Sequence, residues 1–273
     1  AIQLVIQLPQ NGPINLDSFK TVSISSKSMN GVFEAVQTNL KIFPLQSPGR
    51  LIRNRYWPMP DQYIYEEKEF ISLFPHDEYK DESDFRNWKK DKAVYSDSLT
   101  TTENSKYQIS NRHAGEYIKL KQGCYAIEVT AKDRFGAEVK AIEYVQLYDR
   151  KTNELPAPAY TWSTSGPLAV QPGETASYIS GTAANDVFLI QQTERKTEAD
   201  NGSLNPAAQQ HIEDPFQFCL LDNEKKDFRY TATEADRGGF GVWQFFVKNN
   251  RFFSNNHIIA VPWTNKQLSI SFA

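Results

Sequence analysis

Apolar side chains recur at every second position from one end of this sequence to the other. Ile2, Leu4 and Ile6 form one such series, Val22 and Ile24 another, and Leu40 and Ile42 a third. A period of two places such residues on one face of a β-strand, and only strands present it. The stretch GCYAIEVTAKDRFGAEVKAIEYVQLYD, Gly123 to Asp149, shows the pattern at its fullest. Tyr125, Ile127, Val129 and Ala131 share one face, and Glu128 and Thr130 the other. Asp133 to Gly136 then supplies a turn in which Gly136 can take a positive φ, and a return strand runs to Tyr148. Short alternating strands separated by turn residues predict an all-β chain of antiparallel sandwiches.

At 273 residues the chain exceeds the size at which one core stops growing, which predicts two domains. KTNELPAPAYTW, Lys151 to Trp162, lacks periodicity and carries two prolines, so it reads as a linker. The expected domains are 1–153 and 154–273. In the second, Gln171 to Glu174 (QPGE) is a Pro-Gly turn, TASYISG and DVFLIQQ are strands, and VWQFFV is apolar on both faces, as a central strand would be. HIIAVP and KQLSISF around a turn at Trp263 to Asn265 complete that sandwich. One segment breaks the pattern. Between Arg50 and Arg112 the chain is aromatic and charged, with Phe70, Leu73 and Phe74, and then Phe85 and Trp88, at helical spacings. It reads as a partly helical insertion in the first sandwich.

The residues exclude more chemistry than they nominate. A formal charge of −3 with scattered Lys and Arg offers no footprint for nucleic acid or an anionic membrane. No apolar run approaches the roughly 20 residues that span a bilayer. Both ends, AIQLVIQLP and QLSISFA, read as strands, so the sequence is expected to be a piece of a longer chain. Cys124 and Cys219 lie far apart among strand-like neighbours and read as buried free thiols. The four histidines have no metal-ligand spacing. Asp77, Glu78, Asp81, Glu82 and Asp84 lack the order of a calcium loop and read as a solvated face. RGGFG, Arg237 to Gly241, precedes a strand and reads as a turn or bulge rather than a phosphate cradle. No nucleophile and base are nominated, and no cofactor is implied. The aromatics Tyr56, Trp57, Tyr63 and Tyr65 in RYWPMPDQYIY admit two readings: a platform on which sugars stack, or rings that pin the insertion to the sandwich.

Three stretches taken in order, GCYAIEVTAKDRFGAEV leading into YVQLYD, PGETASYISGTAANDVFLIQQTE, and NNRFFSNNHIIAVPWTNKQLSI, resemble the macroglobulin-type sandwich domains of bacterial alpha-2-macroglobulin-like proteins. RYWPMPDQYIYEEKEFISLFP is similar to the large variants of that family in Bacteroidetes. The resemblance implies tandem macroglobulin or immunoglobulin-like domains in a secreted or periplasmic envelope protein that traps proteases. Its partners would be target proteases and neighbouring domains of the same chain. It also implies a position upstream of the thioester domain, because the family's Cys-x-Glu-Gln motif is matched at neither Cys124 nor Cys219. The second domain resembles the one associated with the bait segment that proteases cut. QTERKTEADNGSLNPAAQQHIEDP, Gln192 to Pro215, is the bait candidate, with Glu194, Arg195, Lys196, Asn201 and Gly202 as its exposed residues; a plain inter-strand connection is the alternative. The sequence thus predicts a non-enzymatic scaffold, with a carbohydrate-binding or adhesive module as its rival.

Overall fold

The computed structural model describes residues 1–103, 106–109, 112–113, 116–117, 120–166, 168–195 and 216–263. The chain divides into two compact units, Ala1–Pro158 and Ala159–Ala273.

The first unit is built from β1 (Ile2–Gln7), β2 (Ile14–Asn15), β3 (Thr21–Ser28), β4 (Gln37–Gln46), α1 (Glu67–Leu73), β5 (Lys89–Lys90), β6 (Tyr95–Thr100), β7 (Lys106–Gln108), β8 (Arg112–His113), β9 (Glu116–Tyr117), β10 (Gly123–Lys132) and β11 (Glu138–Tyr148). One sheet has the order β1-β3-β7; the other has the order β2-β11-β10-β4-β5, with β6 also paired to β4. All these pairings are antiparallel except β2 with β11. The alternating apolar faces meet between the sheets. Ile2, Leu4, Ile6, Val22 and Ile24 pack against Leu40, Ile42, Tyr125, Ile127, Val129 and Leu147. Each aliphatic side chain so buried stabilises the fold by about 1.5–3 kcal/mol. The hairpin turns as its sequence predicts: Gly136 has φ +83°, and Asp133 Oδ1 accepts from the backbone N–H of Phe135 and Ala137, each at 2.9 Å.

Two differences from expectation follow from packing. The insertion is shorter than 50–112, because β6 and β7 belong to the sandwich itself. Tyr95 and Tyr107 are core residues, and the Tyr107 hydroxyl, fully buried, is satisfied by Thr38 Oγ1 at 2.6 Å and the Leu99 N–H at 3.0 Å. The linker is shorter too. Ala157 is buried with Leu45, Cys124 and Ala126 on the outer face of the larger sheet, where Phe85 and Trp88 of the insertion also pack. The first half of β10 is therefore buried on both faces, and only Glu128 and Thr130 keep the partly open outer position.

The second unit comprises β12 (Trp162–Ser165), β13 (Thr175–Thr182), β14 (Val187–Arg195), β15 (Phe216–Leu221), β16 (Glu224–Thr231), β17 (Phe240–Lys248) and β18 (Arg251–Ile259). Its sheets have the orders β12-β13-β16 and β15-β14-β17-β18, all pairings antiparallel. These antiparallel sandwiches establish the all-β class. The Gln171–Glu174 turn closes through Glu174 N–H to Gln171 O at 2.9 Å with Gly173 at φ +90°. Asn249 and Asn250, at φ +47° and +58°, make the two-residue β17–β18 turn that suits the strand twist. The expected turn at Trp263 to Asn265 and the KQLSISF strand extend outside the described residues.

Strand β17 is central by pairing but not by burial. Its inner face carries Phe240, Val242, Gln244 and Phe246, while Trp243 and Val247 on the other face are exposed. The inner face of this sheet is the more polar of the two at its centre, where Gln191, Gln244 and His257 are buried.

Candidate functional site

The insertion carries the first candidate site. Arg50, Arg53 and Arg55 lie along one extended segment and reach across to residues 75–82. Arg50 donates to the carbonyls of Pro75 and Asp77, each at 2.9 Å, and to Glu82 Oε1 at 3.2 Å. The Arg53 backbone N–H donates to His76 O at 2.7 Å, and its guanidinium reaches Asp77. Arg55 Nη2 converges on the carbonyls of Glu78, Tyr79 and Lys80 at 3.3, 3.2 and 2.6 Å. A guanidinium offers five donors in a rigid fork, which is why three of them can hold a loop that lacks strand pairing.

This arginine comb redefines the acidic run. Asp77 and Glu82 face Arg53 and Arg50, Glu78 accepts from Ser83 N–H and Oγ, and Asp84 is held by Arg86, whose hydrogen bonds draw its carboxyl below the ordinary carboxylate range. These carboxylates are engaged within the segment, and among the described residues no three potential metal ligands cluster.

The four aromatics divide into two pairs. Tyr63 packs at a tilt against Tyr79 with centroids 4.5 Å apart, and Tyr65 lies 6.4 Å from Phe74; Phe70 bridges Phe74 and Tyr79 at 5.1 and 5.2 Å. Tyr79, buried, donates its hydroxyl to Tyr65 O at 2.9 Å. These rings pack parts of the insertion against one another. Leu73, expected on one stripe with Phe70 and Phe74, is exposed, whereas Phe70 and Phe74 both join the ring cluster. Tyr56 and Trp57 point outward, 75 % and 60 % exposed. Phe85 and Trp88 meet edge to face at 6.3 Å, and Trp88 Nε1 donates to Glu82 O at 2.7 Å.

The second candidate is the connection after β14. Gln192 to Arg195, assigned to the bait segment from sequence, are strand residues paired with Trp243 to Phe240. Glu194 Oε2 accepts from Trp243 Nε1 at 3.3 Å, and Arg195 Nε donates to the buried Asp236 at 2.8 Å while lying over the Phe240 ring. Both are thereby held by the sandwich. Lys196, Asn201 and Gly202 lie outside the described residues.

The RGGFG stretch serves the fold. Arg237 is buried and donates to Glu234, to Gln171 Oε1 at 3.0 Å and to Pro262 O, which fixes the turn at Gly238 and Gly239 (φ +94° and +89°). A Cβ on Gly239 would lie 2.5 Å from Ile259 O, so the glycine pair marks a close backbone approach. Burial pushes the Cys124 thiol up to about 11, and Cys219 is raised as well by burial, so neither is poised as a thiolate. The arginine comb and the buried amide pair Gln191–Gln244 had no signature in the sequence, since the partners lie 24 and 53 positions apart.

No family model matches the chain, and no curated protein does. Solved structures with some likeness include Escherichia coli alpha-2-macroglobulin activated by porcine elastase (TM-score 0.26, 10 % identity, 96 % of this chain and 23 % of that one). A Salmonella alpha-2-macroglobulin mutant has TM-score 0.32 and 10 % identity over 95 % of this chain and 16 % of that one. A tetra-tandem repeat from the extending region of a large adhesion protein has TM-score 0.26 and 11 % identity over 95 % of this chain and 49 % of that one. The chain thus spans less than half the length of each of these proteins, and TM-scores this low select none of their activities for it.

Proposed function

We propose that the chain is a non-catalytic scaffold segment of an alpha-2-macroglobulin-like protease trap of the bacterial periplasm or envelope. Its two units would be consecutive macroglobulin-like domains, the first carried to Pro158. The observation that supports this reading most is the tandem of antiparallel sandwiches, whose polar clusters are consumed in holding loops and cores rather than presented to a substrate. Rigid sandwiches of this kind would set the distance between a bait segment and the domains that respond to its cleavage. Target proteases and neighbouring domains of the parent chain would be its partners. The bait assignment narrows to 196–215, since Glu194 and Arg195 are tied into the sheet. Limited proteolysis with enzymes of unrelated specificity, followed by mass spectrometry, tests it: first cuts between Lys196 and Pro215 are expected with each enzyme. First cuts in the insertion would overturn that assignment, and turnover of a substrate by the purified chain would overturn the scaffold reading itself.

A second reading rests on Tyr56 and Trp57, whose outward rings fit a sugar-stacking surface. It requires that soluble glycans shift the tryptophan emission of the chain and that Trp57→Ala abolish the shift. A silent response to a broad glycan panel removes it.

A further inference from the structure

The outer face of the sheet β15-β14-β17-β18 is apolar and open. Pairing places Phe218, Ile190 and Phe245 in one row across three strands, with Leu220 beside Phe188 and Val247 beside Phe252, while Gln192, Ser254 and Asn256 are the uncharged polar strand positions on the face. Phe188 and Phe218 stack with centroids 5.5 Å apart, and Phe245 lies 6.0 Å from Phe252. Rows of this kind on a solvated sheet face are unusual, because alternation normally leaves polar residues outside. Here Gln191, Gln244 and His257 are turned inward among the core side chains, and further large apolar side chains stand outward.

We infer that this face is a self-association surface on which a second copy of the chain docks, sheet against sheet. Two measures favour a second copy as the occupant. The first is area. Eight large apolar side chains on the face are 40–71 % exposed. Since an aromatic side chain carries about 150–250 Å², they leave roughly 800 Å² open, which is what each partner contributes to a stable interface. The second is charge. Among the described strand residues on this face Glu194 is the one ionisable side chain, hydrogen-bonded by Trp243 at one edge, while Asp186 and Asp222 are exposed beyond the strand ends at the opposite edge. The centre of the face carries no charge, so a second copy docking there buries none, whereas a charged partner would find nothing there to pair with. Twisted sheets stack about 10 Å apart at about −30°, and outward Phe and Leu side chains fill that gap by interdigitating. The inference concerns this face alone and does not depend on the protease-trap reading.

Sedimentation velocity of the chain over a dilution series tests it. A concentration-dependent dimer is expected, dissociating only at or below about 10 μM for an interface of this size. Leu220→Lys combined with Phe252→Glu should shift the dissociation constant at least 100-fold while leaving the circular dichroism spectrum unchanged. Val247→Glu alone serves if that pair disturbs folding. Trp57→Ala, on an exposed aromatic outside this face, should leave the dimer intact. A monomer at 200 μM, or a dimer that survives the face variants, or one abolished by Trp57→Ala, overturns the inference.

Discussion

The Arg53 guanidinium donates from Nε to Asp77 Oδ1 at 2.9 Å, with the two side chains only 18 % and 23 % exposed, across 24 positions of sequence. Around this pair the insertion is organised without a sheet of its own, apart from an isolated Arg53–Asp77 bridge. Charge-assisted hydrogen bonds at this depth contribute about 1.5–3 kcal/mol each, more than exposed ion pairs do.

Arg53→Met is therefore expected to loosen the insertion locally by about 1–2 kcal/mol while sparing the sandwich core, which takes no part in the contact. Amide exchange should rise across residues 53–82 and remain unchanged in β10 and β11. Uniform acceleration across the first unit would mean that the comb holds the core as well.

The comb also shows where the sequence is legible and where it is not. Core faces such as Val22 and Ile24, or Tyr125 to Ala131, are readable because period-two alternation is a local signal that survives packing. β6 escaped because YSDSLT has only Tyr95 and Leu99 as large apolar residues, and its place is fixed by pairing to β4. Tyr63 and Tyr65 are legible as rings that could hold the insertion, but their partners Tyr79 and Phe74 are not, since those come from elsewhere in the loop. VWQFFV misled most. A strand apolar on both faces reads as doubly buried, yet Trp243 and Val247 face outward.

In the second unit, the His257 ring lies 3.9 Å from that of Tyr178, with its Nε2 near Asn255 Nδ2 at 3.4 Å. Burial disfavours the imidazolium and holds the pKa below its ordinary 6.5. The unfolded chain then takes up this proton first as pH falls, so the contribution of a neutral His257 is complete above about pH 6.5 and is lost on acidification through the lowered folded-state value. Thermal unfolding of the second unit should fall between pH 7.5 and pH 5 by more in the wild type than in His257→Leu. Equal slopes in the two proteins would show that other groups govern acid sensitivity.

Gln191 and Gln244 make unequal demands on the same core. The Tyr178 hydroxyl donates to Gln191 Oε1 at 2.8 Å, and Gln244 Nε2 donates to that oxygen at 3.0 Å, while Gln244 Oε1 is buried without a hydrogen-bond partner. A cavity of about 10 Å³ beside Gln244, Asn255 and Ser180 has room for at most one water. Removing a satisfied donor costs about 1 kcal/mol, whereas removing an orphaned acceptor recovers desolvation of about 1–3 kcal/mol. Tyr178→Phe should thus lower the stability of the second unit by about 1 kcal/mol, and Gln244→Met should leave it unchanged or raise it. Chemical denaturation of both variants checks this; a Gln244→Met variant that loses more than Tyr178→Phe would mean the amide is fully satisfied in solution.

The two thiols should respond differently to alkylation. Cys124 is buried between the outer sheet face and Ala157, accepts from Gln146 Nε2 at 3.6 Å, and has its pKa pushed up to about 11 by burial. At pH 8 almost none of it is thiolate, and its sulfur is also out of reach, so modification requires opening of the cluster that contains Leu45 and Ala157. Cys219 is partly exposed on β15, and a raised pKa slows it without shielding it. A maleimide or iodoacetamide time course read by mass spectrometry should therefore show one fast adduct at Cys219 and a second, at Cys124, that appears only with denaturant. Ala157→Gly, which thins the cover over Cys124 without touching the sulfur, should speed the second adduct. If Cys124 labels as fast as Cys219 in the native chain, the segment around Ala157 does not stay seated on the sheet, and the first unit ends before it.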